Sequence, residues 1–379
     1  EPKWRTGIQS EGSFSAKIGA MWETPKEKVY ENDRAIEDSN NNNVSKKQRG
    51  EVKLDFTLRA FWDLAMDSGL FRYKLRENSL PTKVLPGKFN YVAQLNPDRA
   101  EKRRKPQEIE CVNQPFSPGQ FNFNKIDSKE VLFRLQPWYS GDSSEHLLLI
   151  NVSPLEYGHV LLTPSRNKNY PQKLTSSGLR LSLELVLLNN SPNFRLGFNS
   201  LCGFASVNHE HYHAYYLAHR LFLEYAELER VIGDCYRIKD PEYPPGFCFV
   251  LKDHPVSEEG LNKLVSSVMT LGKYLQENNV AHNLFVVRGS TKNVQGHFDS
   301  VRVFVWARES SFGAKGCDAF NPALCELAGH FPIKSEKTNE AAYESLTEEF
   351  ILNTLHAICD KPFQQVKTRI IANFIENLF

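Results

Sequence analysis

Two apolar rhythms alternate along this chain. The run Leu147-Leu148-Leu149-Ile150-Asn151-Val152 is apolar almost without a break, the pattern of a buried strand. Turn chemistry follows in Ser153-Pro154-Leu155-Glu156-Tyr157-Gly158, and His159-Val160-Leu161-Leu162 reads as a second strand, antiparallel because the connection is short. Residues 174–188 fit both a period of two and a helical face, and their length and leucine content decide for helix. Asn189-Asn190-Ser191-Pro192 ends it, and a strand over 194–199 is expected next. After a Pro-rich break at 240–246 the same order returns: a strand at 247–251, a helix with apolar positions at Leu261, Leu264, Val265, Val268, Leu271 and Leu275, then strands at 284–287 and 301–306.

The recurrence predicts an α+β fold of antiparallel sheets with packed helices, built from two related halves. An earlier helix is expected from Asp55, with Phe56, Leu58, Phe61, Trp62, Leu64 and Ala65 facing a core and Ser68-Gly69 closing it. The C-terminus reads as helical, with a capping box at Ser345-Leu346-Thr347-Glu348 and a break at Pro362. Residues 1–51 are polar, include an Asp-Ser-Asn-rich tract at 38–43, and read as a flexible segment. The expected division is therefore 1–51, a first half at 52–229, a second half at 230–335 and C-terminal helices at 336–379.

Composition narrows the partners. Forty-six Lys and Arg balance 45 Asp and Glu, so no global field points to nucleic acid or an anionic membrane, and any anionic ligand must be held locally. No apolar run is long enough to span a bilayer, and the N-terminus lacks the apolar block of a secretory signal. Seven widely spaced cysteines without a C-x-x-C pair suit free thiols, so a cytoplasmic protein is expected.

The chemistry concentrates in Asn208-His209-Glu210-His211-Tyr212-His213-Ala214-Tyr215-Tyr216-Leu217. In extended backbone three histidines two apart share one face, while Glu210, Tyr212 and Ala214 take the other. The neighbouring Val207 and tyrosines favour a strand. The corresponding strand of the second half, 301–306, has no histidine. A neutral imidazole is a nucleophile when its second nitrogen keeps the proton, and flanking imidazoles can direct phosphate oxygens. His211, with a histidine on each side, is the centre of such a site, and Ser206 and the backbone around Gly203 are further candidate phosphate donors. Metal binding is the competing reading, since H-x-H on a strand can ligate zinc; it requires another ligand such as His146 or His159. No cysteine has the right spacing, and Glu210 points away. His159, His282 and His330 read as isolated core or surface residues, and Lys102-Arg103-Arg104-Lys105 as a solvated loop. His219-Arg220 fits either a loop pair or a phosphate contact.

The pattern His209-x-His211-x-His213, with Ser206 ahead of it and Asn199 about ten positions back, resembles the signature of the histidine-triad superfamily of nucleotide hydrolases and transferases. Blocks at 83–88, 91–96, 150–162, 197–220 and 319–330 are similar to the GDP-hexose phosphorylases, the GDP-D-glucose enzymes of animals and the GDP-L-galactose enzymes of plants. The plant enzymes tend to carry Gln where this chain has His213, which favours the animal type. The resemblance implies a HIT-like fold and phosphorolysis of GDP-D-glucose by inorganic phosphate, giving GDP and D-glucose 1-phosphate. It implies that His211 attacks the guanosine-linked phosphorus and holds GMP covalently, that His209 and His213 orient nucleophile and phosphate, and that Ser206 and Asn199 touch phosphate or ribose. The scheme needs no metal or other cofactor, no nucleic acid and no membrane, and leaves a homodimer open. A histidine-triad hydrolase and a non-catalytic nucleotide- or metal-binding protein are the alternatives. Glu210 departs from the apolar residue usual between triad histidines, and it is expected to meet a cation or a partly wet edge.

Overall fold

The computed structural model describes residues 22–23, 54–104, 107–135, 144–252, 256–312, 320–333 and 340–376. The expected polar segment 1–51 lies outside them, except that Trp22–Glu23 forms a short strand, β1. Helix α1 (Leu54–Asp67) buries Leu58, Trp62 and Ala65 along one stripe, but Phe56 and Leu64, expected in the core, are on its exposed side. Two short strands, β2 (Thr82–Val84) and β3 (Val92–Leu95), and a short helix, α2 (Pro97–Lys102), lead to the first half.

That half comprises β4 (Val131–Leu135), β5 (His146–Ile150), β6 (Val160–Thr163), α3 (Ser176–Leu188), β7 (Phe194–Asn199) and β8 (Tyr212–Tyr216). The second comprises β9 (Leu228–Ile232), β10 (Cys235–Ile238), β11 (Phe247–Lys252), α4 (Glu258–Glu277), β12 (Ala281–Gly289) and β13 (Ser300–Arg308). The expected β5–β6 hairpin, both long helices and the recurrence of order all form. Among the described residues the halves fuse into one eleven-stranded antiparallel sheet, ordered β1-β4-β5-β6-β8-β7-β12-β13-β11-β10-β9. The order is mirrored about the β7–β12 pair, and β13 holds the place that β8 holds in the first half.

Alternation along the strands sorts side chains to two faces. Tyr212, Ala214, Val303 and Val305 join a core with α1, α3 and α4. Tyr215, Phe285, Phe304 and Trp306 join a second core under a small sheet made by β2, β3 and β14 (His330–Ile333), the last running parallel to β3. Helix α5 (Leu324–Leu327) precedes β14, and α6 (Glu340–Ser345) and α7 (Glu348–Glu376) end the described chain. No helix among the described residues is long and apolar enough to cross a membrane.

Two C-terminal expectations change. The cap of α7 is Thr347, whose hydroxyl accepts the Phe350 N–H, while the Glu348 carboxylate leaves the helix to accept the N–H groups of Lys88 and Phe89 at 2.8 and 2.9 Å. Pro362 does not break α7. The carbonyl that a residue at 362 would normally bond, that of Ile358, instead accepts the N–H of Glu309 just past β13, at 2.8 Å, so no buried acceptor is orphaned.

The β5–β6 turn sets the position of His159. Gly158 adopts φ +67°, and a Cβ there would lie 2.4 Å from the Tyr216 ring. Trp62 of α1 supports the same point, donating its indole N–H to the His159 carbonyl at 3.2 Å. Gly158→Ala is expected to cost about 2–4 kcal/mol through the strained φ and the collision; denaturant unfolding that places the variant within error of the wild type would contradict this packing.

Candidate active site

Strand β8 begins at Tyr212, so of the three expected strand histidines only His213 lies in paired strand, between Leu161 and Gly197. His209 and His211 belong to an extended approach that side chains hold in place of a neighbouring strand. Gln172 is the main surrogate: its Oε1 accepts the His211 N–H at 2.8 Å, and its Nε2 donates to the carbonyls of His211 and Asn199 at 3.0 and 2.8 Å. Asn208 fixes the start of the approach, donating to the carbonyls of Gln114 and Pro115 and accepting the Gln172 N–H. Neither residue carried a sequence signal, because each acts on segments far along the chain.

The hydrogen bonds determine where each ring proton sits. His209 Nδ1 accepts the Phe123 N–H at 3.2 Å, so its proton is on Nε2 and goes to the Arg166 carbonyl at 3.0 Å. Both ring nitrogens are occupied by backbone, which removes His209 from direct phosphate contact. His211 Nδ1 lies 2.8 Å from the His209 carbonyl and donates to it, leaving Nε2 with its lone pair. Burial pushes both imidazoles down to about 4, so both are neutral near pH 7.

A fourth imidazole completes the row. His159, expected to be an isolated residue, is fully buried and its Nε2 lies 3.0 Å from His213 Nδ1. His159 Nδ1 accepts the Leu155 N–H at 2.7 Å, which places its proton on Nε2 and directs it to His213. His213 then carries its own proton on Nε2. Burial first, and neighbouring histidines and Arg99 second, hold both well below the usual imidazole range. Only the β6–β8 pairing brings Gly158-His159 beside the triad. His282 and His330 are core residues as expected; His330 bonds Gln94 and Tyr215.

Two cavities meet at His213, Ser206, Arg99 and Arg103. One, of about 140 Å³, runs past Asn199 and His159 toward α5. The other, of about 110 Å³, has His211 together with Phe121, Phe123 and Arg104. The basic run at 102–105 is therefore not a solvated loop throughout: Arg103 and Arg104 face the site, Lys102 pairs with Asp98, and Lys105 lies outside the described residues. The guanidinium of Arg104 lies 3.2 Å over the Phe121 ring centroid. Burial and then the charge of Arg99 lower the pKa of Arg103, the mark of crowded cations suited to an anion.

Asn199 lines the larger cavity, with Oδ1 taken by the Asn283 amide at 2.6 Å and the Leu324 N–H at 3.0 Å, so its amide nitrogen is the end that can serve a ligand. Gly203 does not fit its expected role. Its N–H donates to the Ser200 carbonyl at 3.0 Å and its carbonyl accepts the Asn283 amide, making it part of the turn beneath the site. His219-Arg220 lines neither cavity; Arg220 bonds the Pro192 carbonyl and Asn193. Among the described residues no group of three or more His, Cys, Asp or Glu could hold a metal ion.

Glu210 departs from its expected surroundings, a cation or a partly wet edge. It is fully buried and accepts the Thr175 hydroxyl at 2.9 Å and the Tyr212 hydroxyl at 3.3 Å. Thr175 is the N-cap of α3, so the carboxyl sits at the helix's positive end, against Gly178 where a Cβ would fall 2.2 Å away.

A histidine triad on the approach to a central strand of such a sheet, beside arginine-lined cavities, defines a protein of the histidine-triad fold. The same fold appears in yeast Ap4A phosphorylase Apa2 solved with Ap4A, with a TM-score of 0.53 at 17% identity over 81% of this chain and 96% of that one. Residues 53–215 match the GDPGP1-like N-terminal domain and residues 242–377 the GDPGP1-like C-terminal domain, and the chain belongs to the GDPGP1-like family. It is 47% identical to human (Homo sapiens) GDP-D-glucose phosphorylase 1 over 303 residues, covering 78% of this chain and 76% of the relative. It is 46% identical to the zebrafish (Danio rerio) GDP-D-glucose phosphorylase 1, covering 80% and 85%. With Arabidopsis thaliana GDP-L-galactose phosphorylase 2 the identity is 30%, covering 82% and 74%.

Burial raises the Glu210 pKa from 4.5 to about 8, against the opposing pull of Thr175. Between those values the folded protein binds a proton that the unfolded chain has lost, so this group's contribution to stability falls as pH rises through the window, by at most about 1.4 kcal/mol per unit. Glu210→Gln keeps the hydrogen-bonding shape and removes the titration. Its unfolding free energy is expected to decline less than the wild type's between pH 5 and pH 8; parallel declines would show that Glu210 ionises normally.

Proposed function

We propose that this chain is a GDP-D-glucose phosphorylase, a nucleotidyltransferase that converts GDP-D-glucose and inorganic phosphate into GDP and D-glucose 1-phosphate. The observation that carries the mechanism is the 2.8 Å bond from His211 Nδ1 to the His209 carbonyl, which leaves the Nε2 lone pair facing an arginine-lined cavity. In the first step Nε2 forms a bond to the guanosine-linked phosphorus, the bond to the bridging oxygen breaks, and glucose 1-phosphate departs with the electron pair. The guanylylated imidazole keeps its Nδ1–H, and the His209 carbonyl stabilises the positive charge that develops on the ring. In the second step a phosphate oxygen attacks the same phosphorus, the P–N bond breaks, and GDP leaves with the lone pair restored to His211.

His213, with its proton held on Nε2 by His159, donates to the oxygens of the transferring phosphoryl group. Arg99 and Arg103 balance the phosphate charge at the junction of the cavities. Ser206 and the Asn199 amide are ligand contacts, and His209 acts through its carbonyl as a positioning residue. The second cavity, with Phe121 and Phe123, suits the flat guanine base and the ribose. The close identity to GDP-D-glucose phosphorylases over most of the chain supports the substrate. We also assign 52–229 as the catalytic half and 230–335 as a related half without the triad, a division supported by the mirrored strand order, with β9 straddling the join. A cytoplasmic setting fits the six free thiols of the described residues.

Incubation of the purified chain with GDP-D-glucose is expected to yield GDP and glucose 1-phosphate only when phosphate is present, and His211→Asn to lower that rate at least about 1,000-fold. Chromatography that finds GMP without phosphate would make the protein a hydrolase, and a fully active His211→Asn would refute the nucleophile. Since burial holds His211 near 4, the acid limb of kcat/KM that reports this group is expected near that pH; a limb near 6.5 would mean that the nucleophile is solvated.

A further inference from the structure

The larger cavity is made by both halves of the chain. Its near wall is His213 and His159; its far wall comes from the stretch after β13, including Asn321 and Glu326, in the 319–330 block that the sequence singles out. This wall is tied to the triad: the Leu324 N–H donates to Asn199 Oδ1 at the end of β7, at 3.0 Å. Glu326 is 5% exposed, and its Oε2 accepts the Ala323 N–H at 2.9 Å and the Cys325 thiol at 3.1 Å, so the carboxylate is set in a fixed orientation on the turn that bears it.

Displacement at phosphorus separates the two cavities by role. Nucleophile and leaving group stand on opposite sides of the reacting phosphorus. His211 lines the smaller, aromatic cavity and not the larger one, whereas His213, Arg99 and Arg103 line both. With the phosphorus at their junction, the leaving group departs into the larger cavity. There it meets a carboxylate and an amide, planar groups that pair with sugar hydroxyls. Building on the phosphorylase reading above, we infer that the larger cavity is the hexose 1-phosphate subsite, that inorganic phosphate enters its inner end in the second step, and that Glu326 and Asn321 are specificity-determining residues that recognise the hexose hydroxyls.

The test uses a partial reaction that contains no hexose. An enzyme with a guanylylated intermediate exchanges labelled inorganic phosphate into GDP, because GDP and the free enzyme give back phosphate and the intermediate. Exchange needs His211, the arginines and the nucleoside cavity, but not the hexose wall. Glu326→Gln preserves an acceptor for the Ala323 N–H, and Asn321→Ala supplies an independent second variant. Each is expected to lower kcat/KM for GDP-D-glucose phosphorolysis about 30-fold or more, as when a hydroxyl loses its built partner, while slowing phosphate–GDP exchange no more than about threefold. Phe121→Ala, in the nucleoside cavity, is expected to slow both. If both hexose-wall variants leave phosphorolysis intact, or slow exchange as much as phosphorolysis, the assignment is overturned. Failure of the wild type in both reactions would instead refute the phosphorylase reading, so the two failures are separable.

Discussion

The hydrogen bond from His211 Nδ1 to the carbonyl of His209, two residues back, is the constraint on which the rest of this structure depends. It exists only if residues 209–211 are extended and held still, and paired strand begins one residue too late to do that. Gln172 solves the problem by satisfying both backbone groups of His211, Asn208 holds the entry, and Phe123 and Arg166 lock the His209 ring that stands behind the carbonyl. The other end of the row is fixed in the same way. Leu155 sets the proton of His159, and His159 sets that of His213. Each tautomer is traceable to a backbone group belonging to the scaffold, so turns far apart in sequence determine which nitrogen reacts.

The mirrored sheet explains how one chain came to supply both a triad and its wall. The halves share strand order about β7–β12, yet β13 presents Phe304 and Trp306 to the core where β8 presents His213 and Tyr215. Having no imidazoles to align, the second half contributes through the segment beyond β13: α5 and β14 fold back beside the first half's histidines. Asn283 of β12 clamps the seam, with its amide nitrogen shared between Asn199 and the Gly203 carbonyl. Gly203, which resembles a phosphate-binding glycine in sequence, is therefore explained by this close backbone approach; a Cβ on it would stand 2.8 Å from the His282 carbonyl.

Periodicity made the elements legible, because it records which face each residue buries: α3, α4 and the β5–β6 hairpin stand where the apolar spacing put them. The triad was legible because its three members are neighbours. What escaped was what depends on register between distant segments. His159 looks solitary until β6 pairs with β8, and Arg103 and Arg104 look solvated until the loop folds onto the β5–β6 side of the sheet. Pro362 signals a break only while its lost hydrogen bond is considered alone; the N–H of Glu309, from the end of the distant strand β13, takes the vacant acceptor. Such exchanges between distant backbone groups leave no trace in local spacing.

Glu210 shows how the charge of the site is arranged. Desolvation acts on every ionisable group in this row, and it always disfavours the charged form. It lowers the pKa of the imidazoles and raises that of the carboxyl, so at neutral pH all of them tend toward neutrality. A bare carboxylate one residue from the nucleophile would repel the phosphates; a carboxyl pressed against the N-terminus of α3 and two hydroxyls does not. Positive charge stands on Arg72, Arg99, Arg103 and Arg104 at the cavity walls, where a nucleotide's phosphates can be balanced without protonating the histidine that must attack them. The burial that makes Glu210 anomalous in the pattern is thus the same burial that keeps His211 nucleophilic.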